Sequence, residues 1–425
     1  HRNGVRSEGH RIKAGVIAVA FLSAAERRSV LDKVLTTVDV KFMGPAVDTK
    51  ALRTSHENAV VGADTREEFE AAINGLLKDL GASHTGFFHE STPRAAGRIA
   101  IAATFTKADT ADGHRWVFQD VHPGGAAAAA GIRPGDVLLT IGDKEFIPPE
   151  ATPFALGERY VMTVRRPDGS TNTPTLTVPA AKDKGRPLVV PDQVVTATRL
   201  DGGVGLMRVS MFPGMLGMDV ARDMSRAVRE LECDRLIIDL RGNTGGGIGC
   251  LRLMSLLCPD RRGVGYSIGR ARAQKGYAKE QLPAFDRIPA SKLGVVPLMF
   301  RFALAGRSVA VYTERLGSRP HHGRVAILVN EHSASAAEMV AAFASEYGLA
   351  TLVGVRTPGR LVGASAFKVG FGYRLALPVA SYFTWKGTNL EGQGVEPDVP
   401  EPLAPEALWR GEDNQLARAR MLLAR

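Results

Sequence analysis

This 425-residue chain has no apolar run long enough to cross a membrane as a helix, which takes about 20 residues. The longest such stretch near the start, AGVIAVAF, follows Arg2, Arg6, Arg11 and Lys13. It reads as an opening strand leading into a helix, with the remnant of a signal peptide as the alternative. Cysteine is scarce. Cys233, Cys250 and Cys258 lie in or near apolar runs, with neither a disulfide framework nor a metal-ligand spacing, so buried thiols are expected. None has a histidine near it in sequence, which argues against a cysteine nucleophile. Aromatics make up only 6% of the residues. Although the formal net charge is +10, the 54 Lys and Arg are scattered rather than gathered into a stripe interleaved with aromatics, so no nucleic-acid partner is expected. His114, His122, His321 and His322 show no ligand spacing and are read as surface or structural residues, so no metal and no cofactor is called for.

The chain does have ordinary globular proportions, 44% hydrophobic and 23% charged, and a length that allows two to four folding units. Ser23 caps a predicted helix with Val30, Val34 and Val38 on one face, stopped at Gly44-Pro45. Thr65 and Glu68 form a capping box for a second helix, whose apolar face is Phe69, Ile73, Leu76, Leu77 and Leu80. The loop ASHTGFF follows. From about Arg94 to Ala181 the texture changes to short alternating strands, including a hairpin at Asp168-Gly169. After a polar linker, KDKGRP and VPDQ, strands and helices alternate. GVGLMRV is followed by a helix with Val220, Met224, Val228 and Leu231 inward, and then by the continuous apolar strand RLIIDL. RVAILVN, an amphipathic helix and TLVGV come next, so the core is a layered α/β structure. Residues 269–322 lack a clear period and are read as an insertion near a cleft. The tail forms a helix with Leu416, Ala419, Leu422 and Leu423 inward.

Four segments carry candidate chemistry. NEHSASAAEM sets Ser335 at a strand-to-helix junction, exposed at a positive dipole end beside free N–H groups, although a helix cap is the commoner job for such a serine. DLRGNTGGG leaves backbone N–H groups free to approach a ligand closely. SHTGFF supplies a histidine, the base suited to neutral pH, and LEGQGVEPDVP places Glu391 before a rigid turn.

In this order and context the segments resemble the tail-specific (carboxy-terminal processing) serine protease family, which also includes tricorn core proteases and interphotoreceptor retinoid-binding modules. The resemblance runs over nearly the whole chain, through SHTGFF, LIIDLRGNTGG, ILVNEHSASAAEM, YGLATLVGVRTPG and EGQGVEPDV. Within it, GIRPGDVLLTIGD resembles a PDZ domain, while RIAIAATF departs from the Gly-rich loop with which such domains grip a carboxylate. The resemblance implies a crotonase-like (ClpP/crotonase-type) α/β core over 183–425, an inserted PDZ-like domain over 93–182 and an N-terminal helical domain over 1–92. A polypeptide substrate would be held by strand addition to the PDZ-like domain and cut in the cleft between that domain and the core. The family also implies an extracytoplasmic location, while the residues themselves leave the cytoplasm, and an oligomer, open.

One departure bears on mechanism. Where the Ser-Lys branch has a lysine after Thr-x-Gly, the segment TPGR has Arg360, whose guanidinium stays protonated and cannot act as a base. The tricorn-like branch matches better, with Ser83 and His84 as its Ser-His pair and Glu391 as its acid. By that resemblance Ser335 is the nucleophile and His84 its base. Glu391, directly or through Ser83, orients the imidazole, and the N–H groups of Ala336 and Gly245 receive the oxyanion. Arg360 and Gly246 are expected at the substrate, Arg360 alternatively in a structural ion pair. The rival readings are a catalytically silent protein of the same fold that holds peptides or an apolar ligand, and a crotonase-like acyl-CoA enzyme suggested by core architecture alone.

Overall fold

The computed structural model describes residues 21–91, 97–150, 152–180, 191, 193–214, 216–291, 294, 296–297, 308–316, 321 and 323–424. Most of AGVIAVAF, the segment KDKGRP and His322 lie outside them.

At the centre is a sheet ordered Val399–Pro400, Thr351–Gly354, Arg324–Val329, Arg235–Asp239, Val204–Val209 and Val195–Leu200, parallel except for the last strand. Its middle strands are apolar throughout because both faces are covered. Leu236, Ile238, Val325, Ile327 and Val329 face a core built with helices Met218–Leu231, Cys250–Leu256 and Ala336–Glu346. Ile237, Ala326, Leu328 and Val353 face the other way, onto Ala419 and Leu423 of helix Asn414–Ala424. Alternation along each strand thus assigns every residue to one layer or the other.

A second sheet is organised by the long strand Tyr373–Thr384. Val362–Gly370, Gly263–Gly269 and Gly86–His89 all pair with it in antiparallel fashion, and Val309–Tyr312 extends the sheet beyond Gly263–Gly269. Part of the segment read as an irregular insertion is therefore a strand of this sheet. The three N-terminal helices, Ala24–Lys41, Thr49–Val61 and Arg66–Lys78, pack on the same sheet. Val30, Phe69, Ile73 and Leu76 share a core with Val369, Tyr373, Leu375 and Leu377. Phe87 stacks on Tyr373 at 4.8 Å between ring centroids.

The third sheet, with edge strand Ala103–Thr110 beside Gly113–Val121, encloses its own core around Phe118, Leu138, Met162 and Leu176. Asp136 is buried and accepts from Arg133 N–H (3.0 Å), which closes the turn before Val137–Ile141. RIAI departs from the strand expectation: Gly97–Ile101 is a short helix and the strand begins at Ala103. This sheet meets the central one beside the loop carrying Ser335. Asn330 Nδ2 donates to Asp120 Oδ2 (2.9 Å), and His332 Nε2 donates to Phe105 O (3.1 Å).

Candidate active site

Ser335 begins the helix Ala336–Glu346, directly after the buried strand Arg324–Val329 and a tight turn. The turn is fixed from inside. Ser333 Oγ donates to Leu240 O (2.8 Å) and Ala334 N–H to Asn243 O (2.8 Å), so the serine loop is bonded to the glycine loop beside it. Ser335 itself has φ +57° and ψ −116°, a conformation that costs a non-glycine residue on the order of 1–3 kcal/mol and turns its side chain out of the helix line. It forms a capping box with Glu338, three residues on, which accepts the Ser335 N–H (2.9 Å).

Glu338 is fully buried and accepts four hydrogen bonds. Besides Ser335 N–H, Thr357 Oγ donates at 2.7 Å, Gly359 N–H at 2.7 Å and Arg360 N–H at 2.8 Å. A buried carboxylate is tolerable only when supplied with donors in this way. It joins the start of the helix Ala336–Glu346 to the loop 357–361. Sequence reasoning missed it, although the signal was there: Ser-x-x-Glu before an apolar run is a capping-box pattern.

The same loop reaches the second acid. Leu361 N–H donates to Glu391 Oε2 (2.9 Å), and Ser83 donates to Glu391 through its N–H (2.7 Å) and its hydroxyl (3.0 Å). Ser83 Oγ lies 2.7 Å from His84 Nδ1, completing a Glu391–Ser83–His84 chain. With the Ser83 proton directed to the carboxylate, its oxygen can accept from Nδ1–H, which leaves Nε2 as the basic nitrogen. The helix Arg66–Lys78 delivers this pair: Asn74 brackets Phe87, accepting from its N–H (2.9 Å) and donating to its O (2.9 Å). His84 holds a left-handed φ of +56°. Crowding by neighbouring atoms pushes its pKa below the ordinary value; Glu391 and Glu338 pull upward, and Arg360 adds to the lowering. Among the described hydrogen bonds, none joins His84 directly to Ser335.

The glycine turn lies against Ser335. A β-carbon on Gly245 would stand 2.6 Å from Ser335 Cβ and 2.9 Å from Ala336 N, so only glycine permits this approach. The N–H of Gly245, however, donates to Asn243 Oδ1 (2.8 Å) and is already engaged. Its carbonyl accepts from Phe212 N–H (2.9 Å), and Gly247 N–H donates to Phe212 O (2.7 Å), which fixes the turn on both sides of Gly246. The N–H groups of Thr244, Gly246 and Ala336 have no described acceptor.

The eight site residues expected from sequence therefore fall into two bonded groups, Ser335 with Ala336, Gly245 and Gly246, and Ser83 with His84 and Glu391. Arg360 stands on the loop that links them. Among the described residues no cluster of His, Cys, Asp and Glu could hold a metal. Cys250 is buried, and its surroundings push its thiol up to about 12, far from thiolate chemistry.

Comparison with known proteins places two stretches of the chain in known families. Residues 203–400 match the model of peptidase family S41, and residues 117–166 that of the PDZ domain. A carboxy-terminal-processing protease of Bartonella bacilliformis is 24% identical over 379 residues, covering 84% of this chain and 75% of that protein. A carboxyl-terminal-processing protease of Picosynechococcus sp. is 25% identical over 286 residues, covering 67% of this chain and 60% of the relative. The solved photosystem II D1 C-terminal processing protease superposes with a TM-score of 0.54 at 19% identity, covering 94% of this chain and 98% of that one, a likeness of fold.

Proposed function

As a chain that carries a peptidase family S41 domain joined to a PDZ domain, this protein is a serine peptidase, and we propose that it cuts polypeptides with a Ser335–His84–Ser83–Glu391 tetrad. The observation that carries the reading is the hydrogen-bonded chain from Glu391 through Ser83 to His84, linked by the loop 357–361 to the acid that holds Ser335. On the loop 357–361 Arg360 stays protonated, and both carboxylates are occupied by N–H and O–H donors, which favours His84 as the base.

In the proposed reaction His84 Nε2 takes the Ser335 proton as Oγ attacks the substrate carbonyl, and the imidazolium then passes that proton to the leaving amine. Glu391, acting through Ser83, fixes the ring and stabilises its charged form. The oxyanion forms against the N–H of Ala336 and the glycine turn. There Gly246 offers the free donor, while Gly245 allows the close approach and has its own N–H occupied. Water attack on the acyl-enzyme, with His84 again as base, completes hydrolysis. Substrate closure brings His84 and Ser335 into direct contact, since catalytic hydrogen bonds often tighten only in the complex. The PDZ domain supplies a place for an extended peptide to add as a strand, next to the nucleophile loop that it contacts at Asn330 and His332. The silent binding protein is the less favoured reading, because it gives the tetrad's bonding no task.

Treatment with a fluorophosphonate followed by peptide mass spectrometry is expected to place the adduct on Ser335 in the wild type and to give none in Ser335→Ala. An adduct on another serine, or none in the wild type at neutral pH, contradicts the proposal.

A further inference from the structure

Asn330 stands between the strand Arg324–Val329 and the serine turn, and its side chain is fully buried. The carbonyl oxygen of that side chain accepts from Gly242 N–H (3.0 Å), at the head of the glycine turn, and from His332 N–H (3.1 Å), on the serine turn. The amide nitrogen points the other way and donates to Asp120 Oδ2 (2.9 Å), on strand Gly113–Val121 of the third sheet. Only this orientation of the amide serves all three partners, because two backbone donors need the oxygen and a carboxylate needs the nitrogen. The backbone N–H of Asn330 donates to Ser333 Oγ (2.9 Å), which donates in turn to Leu240 O (2.8 Å). One residue therefore binds the glycine turn, the serine turn and a neighbouring sheet.

The partner that orients it is itself fixed. Thr104 Oγ donates to the same oxygen of Asp120 (2.5 Å) and accepts from Asp120 N–H (3.1 Å). The strand end carrying Asp120 is seated directly on the glycine turn. A β-carbon on Gly242 would stand 2.7 Å from His122 Nε2 and 3.0 Å from Asp120 Cβ, and the φ of Gly242 is +70°, so glycine alone allows the approach. A bond from an amide to a carboxylate is charge-assisted, which makes Asp120 a firm anchor for Asn330.

We propose that Asn330 is a positioning residue for peptide hydrolysis: oriented by Asp120, it sets the spacing of the glycine turn from the serine turn, and so of the oxyanion donors from Ser335. This rests on the peptidase reading above and deepens it by naming what holds the oxyanion corner in register. The corner meets a full negative charge only as the carbonyl oxygen becomes an oxyanion, so loosening it weakens the transition state more than the bound substrate. The loss falls on kcat, with KM little changed.

The test uses the full-length chain and a short neutral peptide whose cleavage is followed by mass spectrometry. Asn330→Ala is expected to lower kcat about 10²-fold while KM stays within about threefold, the scale of a misplaced catalytic group. The midpoint of its pH profile should not move, because His84 is untouched. Asn330→Asp sets two carboxylates against each other and should lose a similar factor. Adding Asp120→Asn to it exchanges donor and acceptor, and is expected to recover about tenfold or more of the lost kcat, as coupled partners do. A residue that only supports the fold would show a lowered melting temperature and no such reciprocal rescue. If neither Asn330 variant folds, Asp120→Ala decides, since that position is half-buried on the third sheet. It should lose about tenfold in kcat at nearly constant KM. Full kcat in Asn330→Ala or in Asp120→Ala, or no recovery in the double variant, overturns the proposal. Fluorophosphonate labelling of wild-type Ser335 is measured alongside. A labelled wild type with unimpaired variants sinks this inference alone, whereas an unlabelled wild type sinks the peptidase reading as well.

Discussion

His84 is exposed to solvent yet crowded by neighbours that weaken its charged form, and the balance of charges around it sets the working pH. Crowding by neighbouring atoms and Arg360 lower its pKa while Glu391 and Glu338 raise it, leaving it below the ordinary value of about 6.5. A general base works when neutral, so kcat/KM on a neutral peptide is expected to rise with pH through this lowered pKa and to be level by neutral pH. Replacing Glu391 by Gln removes an influence that favours protonation, which moves the acid limb to still lower pH. It also reduces the rate, because the ring loses its orientation. A pH profile of kcat/KM for the two proteins checks both the direction and the order, and a wild-type limb above the ordinary histidine value contradicts the assignment.

At the scale of elements, the glycine turn and the serine turn operate as one piece. Asn243 ties them together, accepting from Gly245 N–H and, through its carbonyl, from Ala334 N–H, while its own amide donates to Val209 O (2.8 Å). A methyl at Gly245 would be driven into Ser335 Cβ and Ala336 N, and the residue's φ of +89° is strained for any other side chain. Gly245→Ala is therefore expected to lose about 10²- to 10³-fold in kcat, the scale of a spoiled oxyanion site. KM should change far less, and the melting temperature, measured in parallel, separates this from unfolding. The short-range elements were legible. The capping box Thr65–Glu68 forms as its sequence suggests, Ser23 caps its helix and there gains Glu26 as a box partner, and the apolar strands Arg235–Asp239 and Arg324–Val329 take central places because continuous burial needs continuous apolarity. The serine's helix-start pattern was legible too, but the role of Glu338 was not. A capping glutamate normally faces water, and only the arrival of Thr357, Gly359 and Arg360 from a distant loop makes this one a buried hub.

Over the whole molecule, what local pattern did not reveal is pairing across long sequence distances. The hairpin Val362–Gly370 with Tyr373–Thr384 is rich in alanine and small residues and has little signature of its own. Its partner, Gly86–His89, comes from near the other end of the chain. That pairing places the N-terminal helices on the C-terminal hairpin, so the region read as a leading helical domain shares its core with residues 369–377. The same closure assembles the candidate site: His84 arrives on the N-terminal segment, Ser335 on the central sheet, and Glu391 on the turn after the hairpin. Arg360 was legible as a departure from a lysine pattern, whereas the use of its backbone N–H at Glu338 could be seen only in the folded chain.

The central claim is that His84, carried in from one end of the chain, removes the proton of Ser335. The rate of fluorophosphonate reaction at Ser335, measured against pH in the wild type and in His84→Ala, tests it most directly. In the wild type the rate is expected to climb through a midpoint below the ordinary histidine value and then to stay constant. In His84→Ala it should fall by a factor of 10² or more, the usual scale for a lost general base, and lose that midpoint. An unchanged rate and profile in His84→Ala would mean that another group activates the serine.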